Sequence, residues 1–380
     1  QVVPPRAEQV CISATAKMAR RSRSVGAVML ATALLLLGTS FFKEQLGFAA
    51  PSSSVSTPNR ARFAGRAELS PSSSVAVAAG SGTLSKKQAY ITGISWYLMH
   101  FVVSIGNDGI MKFLGDSLPA FQIVFLRFAA AAAVLLPILV TKGKSAFKSA
   151  RMFMHVVRGA LLCLGIGLWC QGLQIMPFAS CVVINNTMPF FKMLFAQLIL
   201  GEKVGKERWL ASLAGFIGCL VVFNPTSATF QPHSLVLILS ACCFAMLDIF
   251  NKKYSESETI TSMLFYGSVA TAFFAAFKAV PTWVPVTGSQ LGLIAALGVG
   301  ANGLLYCLLK AFNYVEASAT CPYRYTEFIL SAIAGILFFA ERPSASTLLG
   351  SCIILPSVIY TAMVETREAA TEEAPADAAA

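Results

Sequence analysis

The stretches FVVSIGNDGIMKF (residues 101–113) and ACCFAMLDIFNKK (residues 241–253) decide how this chain is read. Each is an apolar run interrupted by Asp-x3-Lys, with Asp108 and Lys112 in the first and Asp248 and Lys252 in the second, 140 positions apart. A charged side chain within an apolar span costs on the order of 2.5 to 3.5 kcal/mol at the centre of a bilayer. A pattern that recurs in register despite that cost points to duplication and function together. Gly201-Glu202 and Ala340-Glu341, 139 positions apart, repeat nearly the same offset.

Composition agrees with a membrane protein. The 380 residues are 56% hydrophobic and 12% charged, against about 25% charged in an ordinary soluble domain. Lys and Arg number 29 against 18 Asp and Glu, a formal charge of +11. In a soluble protein that excess would point to nucleic acid. Here it lies in short loops and an N-terminal leader, so no nucleic-acid partner is expected. The ten cysteines form no C-x-x-C pair, and they read as small buried hydrophobes rather than metal ligands. No metal or cofactor is expected.

Ten apolar segments follow the leader, at about 90–113, 119–140, 154–175, 179–200, 208–224, 234–251, 260–280, 290–310, 318–340 and 345–364. Pro119, Pro177, Pro225, Pro232, Pro281, Pro285 and Pro343 stand at or near their boundaries, as punctuation by proline requires. Lys and Arg fill alternate loops, as Lys142 to Arg151, Lys203 to Arg208 and Lys252-Lys253 illustrate; Arg342 beside Glu341 is the exception. By the positive-inside rule both mature ends face the cytoplasm-equivalent side. The predicted fold is all-α and integral to the membrane, ten transmembrane helices in two five-helix repeats. Five is odd, so the repeats insert with opposite orientation, as in many secondary transporters. The expected organisation is a leader over 1–87, largely disordered, repeats over 88–226 and 232–365, and a disordered tail over 366–380.

The leader has its own pattern. Residues 1–17 precede Met18 and read as translated upstream sequence. Arg20, Arg21 and Arg23 then precede an apolar run from Val25 to Leu37, the layout of a secretory signal. Residues 48–87 are rich in Ser and Ala and carry Arg60, Arg62 and Arg66 against the single acid Glu68, which is transit-like. Together they resemble the bipartite leaders of proteins sent to complex plastids in algae, with a secretory signal and disordered linker as the alternative. The expected location is a plastid envelope membrane; a secretory-pathway or plasma membrane is the alternative.

Two five-span halves with Asp-x3-Lys late in the first span, Arg127 in the second span and Glu202 and Glu341 closing the fourth of each half resemble the EamA-type drug/metabolite transporter superfamily. Asn107-Asp108 with Lys112-Phe113-Leu114-Gly115, Phe244 to Ile249, Ser262 to Tyr266, Leu309 to Phe312 and Pro322 to Tyr325 are similar to stretches of the S-adenosylmethionine uptake transporters of rickettsia-type bacteria. The likeness covers roughly residues 88–365. It implies a secondary carrier of a small metabolite in the lipid bilayer, S-adenosylmethionine above all, exchanged for S-adenosylhomocysteine across an organelle membrane. Another amino acid, a nucleotide sugar or a sugar phosphate is the alternative cargo, and a homodimer is compatible with the family.

For that cargo, Tyr323-Arg324-Tyr325-Thr326-Glu327 is the densest polar cluster inside an apolar span. Arg324 can bind a carboxylate through two hydrogen bonds, and Glu327 can accept an ammonium; alternatively the two, three residues apart, neutralise each other. Tyr323 and Tyr325 suit adenine or a sulfonium, or equally a helix interface. In span 4, Pro189 should open the backbone next to Asn185, Asn186, Phe190 and Lys192 and turn freed carbonyls toward a cavity. Lys192 reads either as a substrate anchor or as partner to an acid such as Asp108. Asp108 and Asp248 read either as local ion pairs with the lysines one turn on, or as gating groups. Arg127 falls opposite Gly267 in the repeat register, and that asymmetry favours a functional or orienting role. Trp96, Trp169 and His100 read as packing, and Glu202 and Glu341 as structural.

Other classes fit poorly. No Walker motif is present, and His100, His155 and His233 are scattered, whereas a membrane enzyme would gather acid–base groups. An enzyme is not expected.

Overall fold

The computed structural model describes residues 85–143, 147, 149, 151–176, 178–223, 234–255, 257–330, 333 and 345–371. The leader reading falls on residues 1–84, and Glu341 and Arg342 likewise lie outside the described residues. All the regular structure described is helical. Among the described residues, eight helices are long and apolar enough to cross a membrane, and the protein is an integral, multi-pass membrane protein.

The first half holds α1 (Lys86–Gly115), α2 (Ala120–Lys142) and α3 (Met152–Ile175). Then come the short α4 (Phe178–Asn185) and α5 (Met188–Phe195), a π-helical segment (Ala196–Leu200), and α6 (Lys206–Phe223). The second half holds α7 (Ser234–Ser255), α8 (Ile260–Ala279), α9 (Gly288–Tyr314) and α10 (Ala345–Thr371). Between α9 and α10 lie two 3-10 turns, Ser318–Thr320 and Pro322–Tyr325, with residues 326–330 helical after them.

Local chemistry sets the ends. Ser85 accepts from the Gln88 amide, and the Gln88 side chain accepts from the Ser85 amide. This reciprocal cap starts α1 at Lys86, within the stretch expected to be leader. Gly201, at φ 70°, closes the π segment in the left-handed conformation that glycine adopts without a Cβ penalty. At the far end α10 runs to Thr371, six residues past the boundary expected at 365. Glu365 is held there by Arg208, whose Nε and Nη2 donate to its two carboxylate oxygens at 2.5 and 3.0 Å. A two-pronged bond of this kind keeps the turn helical.

The halves interleave. α1 packs on α9, α2 on α8 and α9, α3 on α7 and α8, and α6 on α10, so each of these pairs takes one helix from each half. Close approach is secured at two matching crossings. A Cβ on Gly159 of α3 would lie 2.3 Å from Ala270 Cβ and 3.0 Å from the Thr271 nitrogen of α8. A Cβ on Gly298 of α9 would lie 2.7 Å from Ala130 Cβ and 2.9 Å from the Ala131 nitrogen of α2. The offsets, 139 from Gly159 to Gly298 and 140 from Ala130 to Ala270, are those of the sequence repeat. Small residues at helix crossings are what membrane packing selects, because apolar lipid gives no hydrophobic drive between helices.

Candidate functional site

Both halves break a helix at corresponding places. Asn186 and Thr187 interrupt span 4 between α4 and α5, with Pro189 in the first turn of α5. Proline at that position needs no amide hydrogen and fits the fixed φ of a helix start. Span 9, expected as a continuous helix, instead begins with the two 3-10 turns. Pro322 opens the second of them, and Glu202 caps the first by accepting from the amides of Ala317 and Ser318 at 3.0 and 2.9 Å. The breaks touch: Tyr325 donates to the Asn186 carbonyl at 3.4 Å, and Lys192 Nζ donates to Thr320 Oγ1 at 3.0 Å.

Around these breaks α1, α2, α5 and α7 bring in charge. Lys192 is 2% exposed, and its Nζ is 2.7 Å from Asp248 Oδ2. The ammonium also sits 4.8 Å from the Phe312 ring centre and 5.4 Å from that of Tyr97. So Lys192 is partnered by an acid, and the acid is Asp248 and not Asp108. Arg324 and Glu327 approach to 3.8 Å, with the Arg324 Nε left without an acceptor. Asp108 is partly exposed, accepts from Trp169 Nε1 at 3.2 Å, and lies within electrostatic reach of Glu327, Arg127 and Arg324. Arg127 is 4% exposed, donates from Nη1 to Met111 Sδ at 3.0 Å, and its Nε has no acceptor.

The expected local pairing within Asp-x3-Lys does not form. Lys112 Nζ donates instead to the Leu173 carbonyl at the end of α3. Lys252 Nζ donates to the carbonyls of Phe312 and Val315 at the end of α9, at 2.5 and 2.9 Å. The last carbonyls of a helix lack intrahelical donors, and a lysine on a neighbouring helix supplies them. The repeated lysines therefore tie the first span of each half to the end of the third span of that half, at offsets of 61 and 60 positions.

The remaining expected residues divide. Asn186 donates from Nδ2 to Cys219 Sγ at 3.2 Å, and the Asn185 Oδ1 is buried without a donor. Tyr323 meets Tyr90 hydroxyl to hydroxyl at 3.0 Å. Phe190 packs away from the charges, stacked 6.4 Å from Trp209 and edge-on 5.5 Å from Phe216 of α6. Sequence reasoning missed Tyr97, His100 and Trp169 as members of the cluster. His100 stacks on Tyr97 at 5.9 Å and engages the Leu304 carbonyl through Nδ1 at 2.8 Å. For the two on α1, spacing from Asp108 was the available signal: Tyr97, His100, Ser104 and Asp108 follow one face at intervals of three and four.

An apolar bundle of two interleaved halves, each broken beside buried charge of both signs, has the architecture of a membrane carrier. The EamA-like transporter family matches the chain twice, over residues 91–224 and 232–363, and the chain belongs to that family. It is 41% identical over 273 residues to the S-adenosylmethionine uptake transporter of Rickettsia prowazekii (strain Madrid E), covering 72% of this chain and 93% of the relative. A riboflavin transporter of Vibrio cholerae serotype O1 is 29% identical over 298 residues, covering 76% of this chain and 99% of its own length. A solved crystal structure superposes with a TM-score of 0.60 at 18% identity, over 75% of this chain and 99% of that one, a likeness of fold alone. These relatives are transporters and not enzymes.

Proposed function

We propose that the protein is a secondary carrier of S-adenosylmethionine, exchanged for S-adenosylhomocysteine. The 41% identity to a carrier of that name over 93% of its length is the observation that carries this reading. The chemistry of the cluster supports it. S-adenosylmethionine presents a carboxylate, an ammonium and a sulfonium, and the cluster offers Arg127 and Arg324 for the anion, Asp108 and Glu327 for the cations, and aromatic rings beside them. Riboflavin, a neutral molecule, would leave these charges without counterparts. Asn185, with its unsatisfied Oδ1, is placed for a polar group of the base or ribose, and Tyr325 and Asn186 shape the break beside it. Tyr323, Phe190 and Lys192 brace the surrounding helices through their own partners.

In this reading the chain spans the membrane ten times, as two five-helix repeats of opposite orientation over 88–226 and 232–365. One repeat rocks against the other around the broken helices. The membrane is an organellar one, the plastid envelope, to which the leader directs the chain. Uptake of labelled S-adenosylmethionine into proteoliposomes, challenged with S-adenosylhomocysteine, amino acids, riboflavin and sugar phosphates, tests the cargo. Counterflow driven by internal S-adenosylhomocysteine supports the reading, and uptake competed equally by every compound would reject it. A fluorescent reporter carrying residues 18–90 tests the destination; its secretion would reject the plastid.

A further inference from the structure

Six charged side chains meet around the helix breaks, three acids and three bases. Lys192 with Asp248 and Arg324 with Glu327 are ion pairs, at 2.7 and 3.8 Å. Asp108 and Arg127 remain, and among the described residues neither reaches an opposite charge within 4.0 Å. Asp108 has a single neutral donor, Trp169 Nε1. Arg127, nine-tenths buried, spends one Nη1 hydrogen on a thioether, a weak acceptor, and leaves its Nε unsatisfied. Burying a guanidinium without its acceptors is costly, so its retention in an apolar helix calls for a partner that comes and goes.

We infer that Asp108 and Arg127 are an ion pair held open to receive the α-amino-acid head of the cargo, its ammonium on Asp108 and its carboxylate on Arg127. This rests on the functional reading above and names the residues that read the head. The two groups flank one turn of α1: Asp108 lies three residues before Met111, whose sulfur covers Arg127. Asp108 and Met111 are neighbours on one helix face at that spacing, which sets the carboxylate on the side of α1 that faces the guanidinium, and an α-amino acid carries its two charges on one carbon. Trp169 fixes the carboxylate of Asp108 without neutralising it. Room for Met111 to move is present. A cavity of about 50 Å³ opens behind Met111 and Cys170, against Lys112, Ile123, Leu173 and Gln174. Met111, unbranched and flexible, can swing into it and uncover the guanidinium. The Arg324–Glu327 pair, expected from sequence to read the head, would first have to be pulled apart; the open pair does not.

The test uses the full chain in proteoliposomes with labelled S-adenosylmethionine and two competitors. One is its decarboxylated analogue; the other is the 2-oxo analogue, which lacks the ammonium. The wild-type protein is expected to prefer S-adenosylmethionine to each by about tenfold or more, since a site built for a polar group rejects the analogue that lacks it. Arg127→Gln should bring the preference over the decarboxylated analogue to within about twofold and keep the preference over the 2-oxo analogue, and Asp108→Asn should do the reverse. Arg324→Gln should lower uptake without altering either ratio. Weaker uptake by Arg127→Gln with both ratios intact would overturn the inference. So would a wild-type protein that accepts the decarboxylated analogue equally, a result that needs no variant to fold. Absence of S-adenosylmethionine uptake by folded wild-type protein would overturn the functional reading and this inference with it, whereas uptake with flat ratios overturns the inference alone.

Discussion

Asp108 and Asp248 occupy the same place in two copies of one pattern, and the protein treats them differently. Asp248 is closed by Lys192 at 2.7 Å. Asp108 accepts one indole hydrogen and stays partly exposed. The difference comes from neighbours that the duplication did not keep. The register places Ser331 or Ala332 opposite Lys192, Leu308 or Leu309 opposite Trp169, and Gly267 opposite Arg127. In one copy the acid is a fixed joint between the halves, and in the other it holds no ion pair among the described residues.

The comparison breaks most visibly at the closed joint. Lys192→Met leaves Asp248 buried without its cation and should cost about 3–5 kcal/mol, read as a lower midpoint of thermal unfolding in detergent. The double variant Lys192→Met, Asp248→Leu should recover most of that loss; no recovery would show that the two residues do not act as a pair. Next come the two glycine crossings. Gly159→Val and Gly298→Val should each destabilise by about 1–3 kcal/mol through overpacking, and by similar amounts, because the same atoms stand in the way at both. Clearly unequal losses would mean that the halves do not share the load at these crossings.

At the open position the effect should move from stability to transport. Asp108→Asn should lower S-adenosylmethionine uptake about tenfold, near 1.4 kcal/mol, with a smaller shift in unfolding midpoint than Lys192→Met gives. The reverse order of stabilities would erase the distinction between the two acids. The smallest change is Trp169→Phe, which removes the donor to Asp108 at a cost of about 0.5–1.5 kcal/mol. It should raise the concentration for half-maximal uptake severalfold, and an unchanged value would show that the indole does not orient the carboxylate.

Much of the fold was legible because a bilayer is an unforgiving solvent. Long apolar runs, proline punctuation and the 140-residue register located the helices and the repeat. The break at Asn186-Thr187 could be anticipated from Pro189, which has no amide hydrogen to give. The start of span 9 could not, since Ser318 to Tyr325 carries one proline at its middle and is drawn into 3-10 turns by Glu202, a residue more than a hundred positions away. The site was half visible. Asp108, Arg127, Arg324 and Glu327 stand out as charges in apolar surroundings, while Tyr97, His100 and Trp169 look like the packing aromatics that any membrane helix carries.

The sequence by itself determined that this chain is a duplicated helical membrane protein with charges set into its spans, because hydropathy and register are properties of the chain and need no partner. Only the tertiary structure decided which charges close on each other. Lys192 meets Asp248 across 56 positions, and Lys112 and Lys252 leave their neighbouring acids for carbonyls about sixty positions on. Pairing in a low-dielectric interior is settled by which donor and acceptor reach each other once the halves interleave, and spacing along one helix does not encode that.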